Sequence, residues 1–368
     1  MKPKIKSKMK MQVYKTGGLL LASLFLLTAS LSAQEEVKKE FHKEYTAQQG
    51  SRVDLDNRYG DIVIQTSQDN KVVINVKVTI RYPNRERAEK LLSYIDIRFD
   101  EGSDFVSAKT VIDDRFSFSG WGNDSRRFSI DYEVKMPEWM NLDLSNKYGN
   151  TDLDDLKGLV NLDIKYGNLT ADKLTRENEK PLNTVNLSYG KGSIEEAGWM
   201  DATIRYCGNF SITKGKALLL DSKYSSVQIG TISSIVGETK YDKLRVDDIN
   251  NLVLDAGYAD VNIGSLTKKL EFTGGYGSLN VDRVPAGFES VFVDTHYMGV
   301  KVAIDESASY RLDARASYGS VKFNENNFQN QRRIIENNSS EISGVVGKES
   351  NPSATVTVKS SYGGIRLY

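Results

Sequence analysis

The stretches Lys147-Tyr148-Gly149-Asn150 and Lys165-Tyr166-Gly167-Asn168 are identical, and they set the reading of the whole 368-residue chain. The same tyrosine, with small or polar neighbours, returns at Ser188-Tyr189-Gly190, Arg205-Tyr206-Cys207, Lys223-Tyr224-Ser225 and Lys240-Tyr241-Asp242. It continues at Gly257-Tyr258-Ala259, Gly275-Tyr276-Gly277, His296-Tyr297-Met298 and Ser317-Tyr318-Gly319. Successive tyrosines from Tyr148 to Tyr318 are 18, 23, 17, 18, 17, 17, 18, 21 and 21 residues apart. One more copy, Ser361-Tyr362-Gly363-Gly364, follows 44 residues later, room for two repeats or for one with an insertion. An outlying copy, Arg58-Tyr59-Gly60-Asp61, stands far upstream. Self-similarity at a fixed period of this size marks a repeat architecture, in which each unit buries its apolar face only against its neighbours.

Within a repeat the polarity alternates with period two, the signature of a strand. Leu162, Ile164 and Tyr166 share one face, with Asp163 and Lys165 on the other; Leu252, Leu254, Ala256 and Tyr258 repeat the pattern. Past the tyrosine the apolar phase slips by one, to Val261 and Ile263 after Tyr258 and to Leu279 and Val281 after Tyr276. A phase slip beside glycine or another small residue is a corner or bulge. The expected fold is all-β: a parallel β-helix of about 10–12 short rungs stacked roughly 4.8 Å apart. An antiparallel sandwich also has many short strands, but it does not require one residue type at one corner in every unit.

The flanks of the repeat follow. Residues 1–33 carry six lysines, no acid, the apolar run Leu19–Leu27 and the small-residue site Leu31-Ser32-Ala33, the pattern of a secretory signal peptide. Residues 34–140 break the period and are expected to form a β-rich N-terminal cap and first strands. A short helix is expected near 84–94, after Pro83. Residues 141–368 carry the repeats, with a polar loop insertion at 324–351.

Composition narrows the chemistry. The 49 basic and 49 acidic residues balance, but six of the basic ones fall in the leader, leaving the mature chain at net −6. That argues against nucleic-acid binding, which needs a basic footprint. Cys207 is the only cysteine and His42 and His296 are the only histidines, so no internal disulfide, His-rich metal site or His-dependent nucleophile is expected. Adjacent carboxylates occur at Asp113-Asp114, Asp154-Asp155 and Asp247-Asp248, yet neighbours on a strand point to opposite faces. No catalytic, cofactor or metal-binding residue is therefore assigned, and no span is expected in the mature chain.

At Arg52-Val53-Asp54-Leu55-Asp56-Asn57-Arg58-Tyr59-Gly60-Asp61-Ile62-Val63-Ile64 and at Val134-Lys135-Met136-Pro137 the sequence resembles a family of exported bacterial proteins known as "putative adhesins". The segments Ser343-Gly344-Val345-Val346-Gly347 and Ser361-Tyr362-Gly363-Gly364-Ile365 extend the resemblance over nearly all of the mature chain. The resemblance implies a β-helical fold and an envelope or surface location in a Bacteroidota-like bacterium. Its motifs carry no chemistry.

Three surface features are candidates for contact. The tyrosine ladder (Tyr148, Tyr166, Tyr189, Tyr206, Tyr224, Tyr241, Tyr258, Tyr276, Tyr297, Tyr318 and Tyr362) shares the phase of the apolar positions before it. It is expected to be a structural, inward-facing stack; a sugar-stacking strip is the alternative. Outward acids (Asp163, Asp221, Glu238, Asp255, Asp294) and bases (Lys147, Lys165, Arg205, Lys223, Lys240) are expected to make a solvated face. The segment 116–128 interleaves Phe116, Phe118 and Trp121 with Arg126 and Arg127 and is a candidate binding loop. The chain thus reads as an exported, non-enzymatic protein of the periplasm, cell surface or medium, an adhesin or scaffold for a glycan or an envelope protein. A structural protein associating through the ends of the coil is the alternative, and a polysaccharide-degrading β-helix enzyme the third reading.

Overall fold

The computed structural model describes residues 35–116, 128–176 and 179–368. The expected signal peptide, residues 1–33, therefore lies outside the described residues. Strands dominate. Strands β1 (Glu35–Thr46), β2 (Arg52–Arg58), β3 (Ile62–Ser67) and β4 (Lys71–Tyr82) precede the short helix α1 (Arg85–Leu92). Then come β5 (Ile95–Glu101), β6 (Phe105–Ile112) and β7 (Phe128–Pro137). The expected helix is in place. Asn84 caps it, accepting a bond from the Arg87 amide, and Ala88 and Leu91 are its buried residues.

The repeat occupies β8 (Asn141–Lys147), β9 (Thr151–Leu153), β10 (Val160–Lys165), β11 (Leu169–Leu174), β12 (Asn183–Ser188), β13 (Lys191–Arg205), β14 (Asn209–Lys223) and β15 (Ser226–Lys240). It continues through β16 (Lys243–Val284), β17 (Ser290–Ile304), β18 (Tyr310–Ser317) and β19 (Val321–Lys322). Last are β20 (Phe328–Glu336), β21 (Ser339–Val346), β22 (Thr355–Ser361) and β23 (Ile365–Leu367). All belong to one mixed sheet.

Pairing within the repeat is parallel. Along β13 and β14, Lys191 faces Asn209 and Arg205 faces Lys223; along β14 and β15, Phe210 faces Val227 and Lys223 faces Lys240. Each residue thus lies beside its counterpart one repeat later, and the apolar set Ile194, Ile212, Ile229 and Val246 is buried in register. Full burial of such side chains contributes roughly 1.5–3 kcal/mol each.

Both ends depart from sequence order. At the front, β2 and β3 pair in parallel with β8 and β9, so the outlying Tyr59 joins the repeat directly before Tyr148. Antiparallel pairs β1–β4, β4–β7 and β5–β6 flank them. At the back, β22 and β23 lie between β17 and β18–β19, so the last strands of the chain are the penultimate layer of the stack. The 44-residue gap therefore holds one repeat with an insertion. The insertion is not the expected polar loop: β20 and β21 form an antiparallel hairpin, and β21 pairs antiparallel with β18. Its polar composition misled because the hairpin is an outer edge, exposed over most of β20, where strand structure does not require apolar residues.

Candidate functional site: an exposed tyrosine ladder

Among the described residues twelve other than glycine have positive φ, and all twelve are the repeat tyrosines, from Tyr59 (68°) through Tyr318 (53°) to Tyr362 (58°). A left-handed backbone at one residue turns the chain and explains the phase slip. It also corrects the expected inward orientation. In an extended strand Tyr166 falls on the face of Leu162 and Ile164; with φ of 58° its Cα–Cβ bond swings outward instead. From Tyr148 onward each ring is exposed, from 43% at Tyr148 to 59% at Tyr318.

The rings form one uninterrupted stack in the order 59, 148, 166, 189, 206, 224, 241, 258, 276, 297, 362, 318. Centroids are 4.6 Å (Tyr258–Tyr276) to 5.2 Å (Tyr59–Tyr148) apart, and planes differ by no more than 13°. The ladder runs on the order of 50 Å along the strand-stacking direction.

The corner also explains the glycines beside it. A Cβ at Gly167 would lie 1.8 Å from the carbonyl oxygen of Gly149, because successive backbones meet there. Where the chain has Cys207, Ser225 and Asp242 instead, these side chains are buried. Asp242 accepts from the Ser225 amide (2.6 Å) and the Thr239 hydroxyl (2.5 Å). The Cys207 thiol sits in this interior, and burial pushes its pKa up.

The stack decides what the tyrosines offer a ligand. Placing a sugar or aromatic ring between two tyrosines needs about 7 Å, two contacts of roughly 3.5 Å. The observed separations leave no such space, so only ring edges and hydroxyls are open along the ladder. Lys147 flanks it, with Nζ 5.0 Å from the Tyr148 centroid and 5.9 Å from that of Tyr166. On the other flank the Asp61 carboxylate accepts from the Asn150 amide, the Asn150 side chain from the Asn168 amide, and the Asn168 side chain from the Lys191 amide.

Seven members of the predicted charged rows, Asp163, Lys165, Arg205, Asp221, Lys223, Glu238 and Lys240, meet in ion pairs. Lys165 pairs with Asp163 at 3.1 Å, Lys240 with Glu238 at 2.9 Å and Lys223 with Glu238 at 3.5 Å, and Arg205 pairs with Asp221. Lys240 holds the Glu238 carboxyl below its ordinary range, and Glu238 raises Lys240 in return.

The other predicted features separate. Phe116 is buried, its ring 5.1 Å from Phe128, which in turn meets Tyr59 at 5.1 Å. Phe118, Trp121, Arg126 and Arg127 lie outside the described residues. Of the paired carboxylates, Asp113 is bound by Arg115, Asp154 accepts from the Thr66 amide and Asp155 pairs with Lys173. Asp247 is bound by Arg245. Among the described residues no cluster of His, Cys, Asp or Glu is arranged to hold a metal ion, and no helix is long and apolar enough to cross a membrane.

Two depressions were not read from the sequence. A trough of about 410 Å³ crosses the outer face of β2, β8, β10 and β12, with Arg98, Asp100 and Lys109 of the β5–β6 hairpin beside it. Its floor carries Asp54, Asp143 and Asn161 in neighbouring registers. Arg52 binds Asp54 at 2.8 Å and approaches Asp143 at 3.4 Å, while burial pushes the Asp54 carboxyl up against that pairing. A second depression, of about 310 Å³, surrounds Trp199.

The chain matches no family profile and no curated protein. It is similar to several solved structures. One is a "putative cell adhesion protein" from Clostridium sporogenes ATCC 15579, at 12% identity and a TM-score of 0.20, over 89% of this chain and 99% of that one. Another is a "putative adhesin" from Parabacteroides distasonis ATCC 8503, at 13% identity and a TM-score of 0.31, over 72% and 96%. A "putative lipid binding protein" from the same organism matches at 10% identity and a TM-score of 0.23, over 89% and 96%.

Proposed function

We propose that the protein is an exported, non-catalytic binding scaffold, coiled as a parallel β-helix, whose tyrosine edge holds an extended polysaccharide along its length. The observation that carries this reading is the continuous row of eleven exposed tyrosines from Tyr148 onward, stacked on the half-buried Tyr59. A left-handed corner is least costly with glycine, and an L-residue with a Cβ costs about 1–2 kcal/mol more there. The backbone alone does not call for tyrosine; the rings do. The register between successive repeats supports the coil, since each residue returns to the side of its counterpart 17–18 residues on.

The ligand class follows from the geometry. A site that is long, narrow and periodic is matched by a polymer rather than a compact molecule. With ring faces covered, contact is made through ring edges and phenol hydroxyls, which both donate and accept. The rows on the strand side of the tyrosines are charge-balanced, so hydroxyl-rich chains fit better than strongly ionic ones. Many weak, equally spaced contacts give an affinity that grows with ligand length.

Retention of the purified exported chain on a panel of insoluble and soluble polysaccharides tests the reading. Saturable binding to one class is expected, stronger for longer chains and little changed by salt. Absence of retention on every polysaccharide, or binding independent of chain length, refutes it.

A further inference from the structure

Among the steps from Tyr148 to Tyr318 one is the longest, and its neighbours on either side are regular. The step from Tyr166 to Tyr189 is 23 residues rather than 17 or 18, and the surplus lies between β11 and β12. Beside it the surface opens into the 310 Å³ depression, lined by Thr175 and Arg176 from the surplus segment, Glu196, Gly198 and Trp199 from β13, and Lys216 from β14.

Three properties set this place apart from the ladder. Trp199 is 36% exposed, and its in-register neighbour on β14 is only Ala217, so no bulky side chain follows it in the next layer. The Arg176 backbone sits against β13: the Trp199 amide donates to the Arg176 carbonyl at 3.4 Å, and a Cβ at Gly198 would lie 2.1 Å from that oxygen. Finally, the Arg176 side chain is only 16% exposed, and its Nε is buried with no hydrogen-bond partner. Its terminal nitrogen meets Glu179 at 3.1 Å, but the Glu179 side chain is 71% exposed, so that pair is exchangeable with a solution anion.

We infer that this depression is a saccharide subsite that takes a pyranose ring bearing a carboxylate, with the ring against Trp199 and the carboxylate on Arg176. An indole next to a small neighbour offers an apolar platform for the ring. The exposed end of the guanidinium donates to a carboxylate through the terminal nitrogen that now meets Glu179, while the stem and Nε stay packed and hold the group in place. Lys216 adds a second cation at the rim, and Glu196 accepts from a sugar hydroxyl.

The site stands independently of the ladder reading. It holds one ring, is lined by none of the tyrosines, and is tested with a ligand too short to span the ladder. Titration of the full exported chain with tri-galacturonate, followed by isothermal titration calorimetry, should show saturable binding, with cellotriose silent. Trp199→Ala should abolish the response and Arg176→Ala should weaken it on the order of tenfold or more, the loss of a charge-assisted bond. Circular dichroism melts of both variants establish that they remain folded. Lys165→Ala, on the ladder, should leave the titration unchanged. A response absent for tri-galacturonate, equal for both sugars, or retained in Trp199→Ala overturns the inference.

Discussion

Replacing Tyr241 isolates what the ladder contributes to stability. Its ring stacks on Tyr224 at 4.8 Å and on Tyr258 at 4.9 Å, and it is 49% exposed. About half of a full aromatic burial contributes roughly 1 kcal/mol, and each stacked pair adds about 0.5–1.5 kcal/mol. Tyr241→Ala should therefore cost about 2–4 kcal/mol, since it removes both contacts while leaving a Cβ at φ of 58°. Tyr241→Gly loses the same contacts but relieves the corner, and should be about 1 kcal/mol more stable than the alanine variant. Tyr241→Phe keeps the stack and should stay within about 0.5 kcal/mol of the parent. Thermal melts by circular dichroism give the ranking Phe, then Gly, then Ala, with the alanine midpoint lower by several degrees. Repeat arrays do not always melt as one unit, so amide exchange around Tyr224 and Tyr258 should show the loss locally. An alanine variant as stable as phenylalanine would refute a stabilising stack. An alanine variant more stable than glycine would refute the left-handed corner.

Close approach at the corner predicts a second contrast. Gly167→Ala places a methyl group against the Gly149 carbonyl and should lower the melting midpoint, at a cost of about 1–3 kcal/mol or more; Gly208→Ala, with no atom within 4 Å of the new Cβ, should not. Equal melting of the two variants would contradict the backbone contact. Titration gives a third. Arg115 holds the Asp113 carboxyl down to about 2, so the pair's contribution is present above the ordinary carboxylate range, near 3.8, and is lost as pH falls through about 2. Carboxyl carbon shifts followed by NMR should show Asp113 titrating near 2 in the parent and moving up toward the ordinary range in Arg115→Ala, which loses the guanidinium but keeps the backbone amide bond. A parent titration near 4 would break the assignment.

Much of the fold was legible because the repeat is a one-dimensional code. The period fixed the tyrosine corners, the alternation fixed which of Leu162, Ile164, Leu252 and Leu254 are buried, and Pro83 with Asn84 placed the helix start. The candidate site was half legible. Spacing identifies the ladder from Tyr148 on, but alternation puts its rings on the face of the buried residues, where the structure has them exposed. Periodicity counts positions along an extended strand, and one residue with φ near 58° breaks the count without leaving a mark in composition. The Trp199 depression left only the indirect trace of a 23-residue step.

What the sequence determined by itself is the unit: strand, tyrosine corner, strand, repeated with small variation. What only the tertiary structure decided is the order and facing of the units. Tyr59 joins the stack across more than eighty intervening residues, and Tyr362 enters between Tyr297 and Tyr318 although it comes last in the chain. Neither placement is encoded locally, because parallel strands of one repeat family can each pair with several others. The choice is made by which edges remain to be covered once the hairpin of β20 and β21 has taken the outer side of β18.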